Sequence, residues 1–134
     1  MVSILITAGP TREYFDDVRF LSNASSGRMG CALAEAAMAA GHQATLVLGP
    51  VEMTPPAGVK IVSVTSALQM QTAAKDVFAT SDVLIAAAAV SDWRPAERQS
   101  GKPARQPGNV HVEFVPNPDI VAGLAANTGS RVVF

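Results

Sequence analysis

The sequence predicts an α/β fold: a Rossmann-like three-layer αβα arrangement around a mostly parallel central sheet. Short, nearly continuous apolar runs alternate with segments of helical period, the pattern of strands covered on both faces and joined by crossover helices. The first run, VSILITAG, ends at Gly9 and is followed by a long connection into an alanine-rich helix. The order of elements, β-α-β-β-α-β-(β)-α-β, is that of a doubly wound sheet. At 134 residues the chain is read as one domain, 1–134, long enough to bury a core.

Each element has a local reason. Arg28 to Ala40 reads as a helix with Met29, Leu33, Ala36, Ala37 and Ala40 on its apolar side, stopped by Gly41. HQATLVLG and VKIVSV are the next two strands. Ser66, with Gln69 three residues on, forms a capping-box pattern. The helix it opens has Ala67, Met70, Ala74, Val77 and Phe78 as its stripe. DVLIAAAAV reads as the most buried strand. SDWRPAERQSGKPARQPG, polar and rich in proline and glycine, reads as a long exposed loop. VHVEFV alternates like a half-exposed strand. Asn117 is expected to cap a third helix with Pro118 in its first position, and RVVF to begin a last strand.

Composition excludes several classes. A net charge of −1 argues against a general binder of nucleic acid or of membrane surfaces. No apolar run reaches the length of a membrane span, and the N-terminus lacks a charged region with a cleavage site. A cytoplasmic location is therefore expected. The single cysteine, Cys31, excludes an internal disulfide and a cysteine-rich zinc site, and reads as a small buried helix residue. His42 and His111 have no nearby second ligand and read as surface or packing residues.

In a sheet of this kind ligands bind beyond the carboxyl ends of the strands. Three segments fall there. The first ends in LSNASSGRMG, where backbone N–H groups, the Ser25 and Ser26 hydroxyls, Gly27 and a helix N-terminus would suit an anion, phosphate best of all. An ordinary N-cap with a glycine turn explains the same residues equally well. The second is AAAAVSDW, whose small residues leave room for a flat ring and whose Asp92 could accept from a ribose or an exocyclic amine. A loop-initiating aspartate is the plainer reading. The third is Lys102 with Arg105, able to close over a polyphosphate or simply solvated. The dinucleotide pattern G-x-G-x-x-G, the P-loop, and a Tyr/Lys pair built on Tyr14 are all absent.

ITAGPTRE, VRFLSNASSGRMG, AAAVSDWRP and NPDIVAGLA, in that order over nearly the whole chain, resemble the motifs of phosphopantothenate–cysteine ligase. This is the synthetase of coenzyme A biosynthesis, often fused in bacteria to a flavin-dependent decarboxylase. The resemblance implies ligation of 4′-phosphopantothenate to cysteine through an acyl-nucleotidylate. It further implies CTP rather than ATP as co-substrate, Mg2+ on the triphosphate, a homodimer, and a fused or associated phosphopantothenoylcysteine decarboxylase. Asn23 matches the asparagine that handles the acyl-nucleotidylate, and Arg19 an anchor for substrate phosphate or carboxylate. Ala89 matches a small residue near the reacting groups, and Lys102 the first lysine of a flexible flap. Ala86, Ala87, Ala88, Asp92, Pro118, Asp119, Ile120 and Val121 match nucleotide contacts, and Gly9, Ser25, Ser26 and Gly27 are taken with them as nucleotide-binding. No metal ligands are implied.

Two departures stand out. The flap, lysine-rich in the family, reads KPARQP here with Arg105 as its other cation, and the family continues past the last strand whereas this chain stops at Phe134. The domain is thus expected to lack the family's C-terminal part. An NAD(P)-binding oxidoreductase and a non-catalytic nucleotide-binding module remain the alternatives.

Overall fold

The computed structural model describes the whole of Met1–Phe134. Its elements are β1 (Ser3–Ala8), β2 (Arg12–Tyr14), β3 (Phe20–Ser22), α1 (Arg28–Ala39), β4 (Gln43–Leu48), β5 (Lys60–Ser63), α2 (Ala67–Phe78), β6 (Val83–Ala86), β7 (Trp93–Pro95), β8 (Phe114–Pro116), α3 (Ile120–Ala125) and β9 (Val132–Val133). Five strands form one parallel sheet in the order β5-β4-β1-β6-β9. Helix α1 packs Cys31, Ala34 and Ala37 on one face against Ile4, Ile6, Ala44, Leu46 and Leu48. Helices α2 and α3 cover the other with Met70, Ala74, Phe78 and Ile120 on Leu5, Val47 and Leu84. Strand β1 alternates its side chains between the two cores, and burial of each large apolar residue there contributes ~1.5–3 kcal/mol. The three-layer αβα reading stands. No helix is long and apolar enough to cross a membrane.

Several local expectations change. The most buried strand is β1, not the DVLIAAAAV run. β1 lies between two ladders, whereas β6 has only the two-residue β9 outside it, so Ala86 to Val90 stay half-buried. After Ala86 the run leaves the ladder, keeping one bridge between Pro10 and Ala89. The long first connection contains a hairpin, β2–β3, closed by Asp16, whose Oδ1 accepts the N–H groups of Val18 and Arg19 at 2.9 and 2.6 Å. The predicted loop holds β7, which pairs antiparallel with β8. Only Phe114 and Val115 of VHVEFV are in a strand.

The apolar face of α1 is also rotated from the predicted stripe. Met29 is 68% exposed, while Gly30, Cys31, Ala34 and Ala37 face the sheet. Gly30 sets this: a Cβ there would lie 2.3 Å from Ala8 Cβ, so the helix meets β1 backbone-close at that residue. Cys31 is buried, as the plainer reading held. The capping box of Ser66 and Gln69 is present, and α1 ends before Gly41 at φ +84°. The third helix is capped by Asp119, whose Oδ1 accepts from Ala122 N–H at 2.9 Å, and not by Asn117. Asn117 is occupied elsewhere, and Pro118 precedes the helix.

Candidate active site

The carboxyl edge of the sheet gathers three groups of residues. The first surrounds the entrance to α1. Gly27 is buried with φ +78°, a left-handed conformation that a side chain disfavours, and it stacks on Gly9 at the end of β1. Its N–H and that of Arg28 reach only the Ser25 and Ser26 hydroxyls, at 3.4 and 3.3 Å. The N–H groups of Ser25, Ser26, Met29 and Gly30 have no protein acceptor, and no side chain caps α1. The unpaired amides of Ser25, Ser26, Met29 and Gly30 at the positive end of a twelve-residue helix give this entrance the electrostatics of an anion cradle.

Beside it, Asn23 Nδ2 donates to the Ala89 carbonyl at 3.1 Å. That carbonyl also takes Thr11 N–H, while Ala89 N–H donates to Gly9 O at 2.9 Å. Gly9, Asn23 and Ala89, distant in sequence, are thus tied into one patch. The second Nδ2 hydrogen and the Oδ1 of Asn23 remain available, and the residue is exposed.

The second group is apolar. Ala86, Ala88, Ile120 and Val121 line a cavity of about 90 Å3 with Met70 and Leu124. Ligand-sized sites are about 300–1,000 Å3, so a nucleobase could at most lie across its mouth. Ala87 adds only a backbone bond from its N–H to Thr7 O at 3.0 Å.

The third group is at the hairpin tip. Arg19 shares a cleft of about 700 Å3 with Lys102, Arg105 and His111. Arg19 Nε and Nη2 both bind Asp16 Oδ2, at 2.7 and 2.6 Å, with Asp16 1% exposed. Two of its five donors are therefore spent on the protein, and the rest of this half-exposed side chain can meet an anion. Burial pushes the Asp16 carboxyl up, but the Val18 and Arg19 N–H groups and the Arg19 charge outweigh it and hold it below 3.8. Asn23 and Asp92 do not line this cleft. The three-residue β3 separates Arg19 from Asn23.

One network escaped the sequence reading. Glu13 is only 3% exposed, and both its oxygens accept from Ala67 N–H, the first residue of α2, at 3.1 and 3.3 Å. Oε1 also accepts from Asn117 Nδ2 at 3.0 Å. Asn117 further donates to Ser91 O and Asp92 O and accepts from Arg94. It thereby fixes the loop carrying Asp92 against the segment Pro118–Val121. Burial raises the Glu13 pKa above 4.5, with Ala67, Asn117 and Arg94 opposing. The available signal was a lone acid, in TRE, inside an otherwise buried stretch.

The match to known proteins follows the same layout. Residues 1–134 match the family described as DNA/pantothenate metabolism flavoprotein C-terminal domain. The coenzyme A biosynthesis bifunctional protein CoaBC of Vibrio cholerae is 47% identical over 130 residues, which is 96% of this chain and 33% of that protein. Its Escherichia coli K12 counterpart is 46% identical over 128 residues, 93% of this chain and 32% of that one. The chain thus spans about a third of the length of these relatives. The crystal structure of the C-terminal domain of a CoaBC protein superposes with a TM-score of 0.83 at 40% identity, over 98% of this chain and 62% of that one. With the entire length matched, the chain belongs to the DNA/pantothenate metabolism flavoprotein C-terminal domain family, as the counterpart of the synthetase domain of CoaBC.

Proposed function

We propose that this domain ligates 4′-phosphopantothenate to cysteine at the expense of CTP, as a step of coenzyme A biosynthesis in the cytoplasm. The observation that carries the reading is the set of open amides of Ser25, Ser26, Met29 and Gly30, set beside an Asn23 already anchored on Ala89. The likeness to CoaBC supports it.

A carboxylate resists attack by an amine because its leaving group is poor. In the first step its oxygen attacks the α-phosphorus of CTP, forming the acyl-cytidylate and releasing pyrophosphate. In the second, the cysteine amine attacks the acyl carbon and CMP leaves with the electron pair. The amides around Ser25, Ser26 and Gly27 would bear the phosphate charge, and Lys102 and Arg19 the second anionic end. Asn23 Nδ2, with its spare hydrogen, would donate to the acyl oxygen as charge builds on it. Ala86, Ala87 and Ala88 would receive the base, with Asp92 and Pro118, Asp119, Ile120 and Val121 flanking it.

Three or more His, Cys, Asp or Glu side chains nowhere converge. Mg2+ would therefore enter on the triphosphate oxygens, where it neutralises charge and orients the chain, rather than in a protein cage. The apolar cavity is too small to enclose a nucleobase, and Val18, Phe20, Leu21, Trp93 and Phe114 are exposed on the two hairpins. A homodimer burying these side chains would complete the site. A fused or associated phosphopantothenoylcysteine decarboxylase would take the product's new carboxylate.

The test is direct. With 4′-phosphopantothenate, Mg2+ and either CTP or ATP, pyrophosphate release is followed before and after cysteine is added. CTP-dependent release followed by amide formation is expected. A thermal shift with NADPH and none with CTP would replace this reading by an oxidoreductase.

A further inference from the structure

The flap carrying Lys102 does not hang free. Asp17 N–H donates to the Gly101 carbonyl at 3.1 Å, and Gly101 N–H donates back to Asp17 Oδ2. The other carboxylate oxygen takes Arg98 Nη2 at 3.3 Å. Gln99 N–H donates to Phe15 O at 3.0 Å, and the Arg98 guanidinium lies 4.9 Å from the centre of the Tyr14 ring. Two residues of the tip, Phe15 and Asp17, thus hold the flap from Arg98 to Gly101. Lys102 follows immediately. The post they form is rigid, because the buried Asp16 between them closes the hairpin and grips Arg19.

We propose that Asp17 is a positioning residue that latches the flap to the hairpin tip and so stations Lys102 beside Arg19 in the cleft. Adjacent carboxylates then place the two cations, Asp16 by direct contact and Asp17 through Gly101. The residues between β7 and β8, 96–113, would otherwise pay ordering entropy each time an anion bound. The latch meets part of that cost beforehand, which is preorganisation. It also fits the composition of this flap: with few cations, KPARQP depends more on where Lys102 stands. The inference rests on the ligase reading for what Lys102 does, but the latch itself is independent of it.

Asp17 is exposed, so its substitution spares the core. Asp17→Ala removes both side-chain bonds, and Asp17→Asn retains one acceptor. Amide hydrogen exchange at Gly101 should quicken about fivefold to tenfold in Asp17→Ala and less in Asp17→Asn, the scale of one or two exposed hydrogen bonds. In the whole protein, Asp17→Ala should slow pyrophosphate release by a similar factor. In a Lys102→Gln background the same substitution should change nothing further, an epistasis that general destabilisation does not produce. Unchanged exchange at Gly101 overturns the latch. Equal slowing with and without Lys102 overturns the positioning role. If the unmutated protein releases no pyrophosphate, the ligase reading fails and the positioning role with it, while exchange at Gly101 still decides the latch.

Discussion

Gly27→Ala tests whether the entrance to α1 is held in the shape described. At φ +78° an alanine costs ~1–2 kcal/mol from its Cβ alone. The new Cβ would also lie 2.7 Å from Val51 Cγ1, closer than such atoms pack, and overpacking of this kind costs ~1–3 kcal/mol. The sum is ~2–5 kcal/mol, a large part of the stability of a domain this size. The two contributions are separable, because Val51→Ala removes the clashing methyl and leaves the dihedral unchanged.

The assay is urea unfolding of wild type, both single variants and the double variant, read as midpoint and slope. Gly27→Ala should cost less in the Val51→Ala background by ~1–3 kcal/mol, leaving the backbone contribution of ~1–2 kcal/mol. A cost below ~0.5 kcal/mol in the wild-type background would mean that Gly27 is not left-handed in solution. An equal cost in both backgrounds would mean that Val51 does not close over it. Either result would remove the floor of the anion cradle.

Asn23→Asp should still allow pyrophosphate release but let the acyl-cytidylate accumulate, since an acceptor replaces the donor to the acyl oxygen; rapid-quench analysis showing wild-type turnover of the intermediate would refute that role. Gly30→Ala should destabilise α1 docking by ~1–3 kcal/mol in thermal unfolding, because its Cβ meets the backbone-fixed Ala8 Cβ; a loss under ~0.5 kcal/mol would contradict the packing. The pH profile has two opposed limbs. Glu13, raised above 4.5, contributes most below that value and its contribution falls as pH rises through its folded pKa, so Glu13→Gln should flatten this fall in chemical denaturation above pH 4.5. Asp16, and Asp82 whose Oδ2 accepts Ser3 N–H at 2.8 Å, are held below 3.8, contribute above it and lose their contribution on acidification, so Asp16→Asn should flatten the acid limb; profiles parallel to wild type would refute either assignment.

The sheet and its helices were legible because burial on both faces forces long apolar runs, and a capping box such as Ser66 with Gln69 is local chemistry. The face of α1 was not. In an alanine-rich helix many faces are apolar, and the choice was made by Gly30 meeting Ala8 across 22 residues of chain. The hairpins β2–β3 and β7–β8 were missed for a related reason. β2, β3 and β7 are three residues long, too short to show a period, while β8 overlaps the predicted VHVEFV strand and only its partner β7, across a polar connection, was not foreseen. Asn117 followed by proline resembles a helix cap in sequence, yet its side chain is claimed by Glu13, Ser91 and Arg94, none of them near in sequence. Motif resemblance named Asn23 and Ala89 separately, and the hydrogen bond joining them is a fact of the fold.

The three groups at the sheet edge differ in how firmly the protein holds them, and this bears on mechanism. Asn23 and the open amides lie between β3 and the first turn of α1, held by the Asn23 bond to Ala89 and by Gly9 against Gly27. Electrostatic stabilisation works best from such ground, because donors that need not reorganise lose nothing when charge develops. Lys102 sits on an exposed loop held by Asp17, where a few hydrogen bonds decide its position. In the proposed reaction a lysine there would suit the arrival of a triphosphate and its departure as pyrophosphate. Under the proposed ligation, the fixed donors would face the acyl centre and the latched cation the leaving pyrophosphate, the division that a two-step acyl transfer asks of one surface. The exchange of roles would fail, since a mobile oxyanion donor would forfeit preorganisation and a rigid cation would retain pyrophosphate.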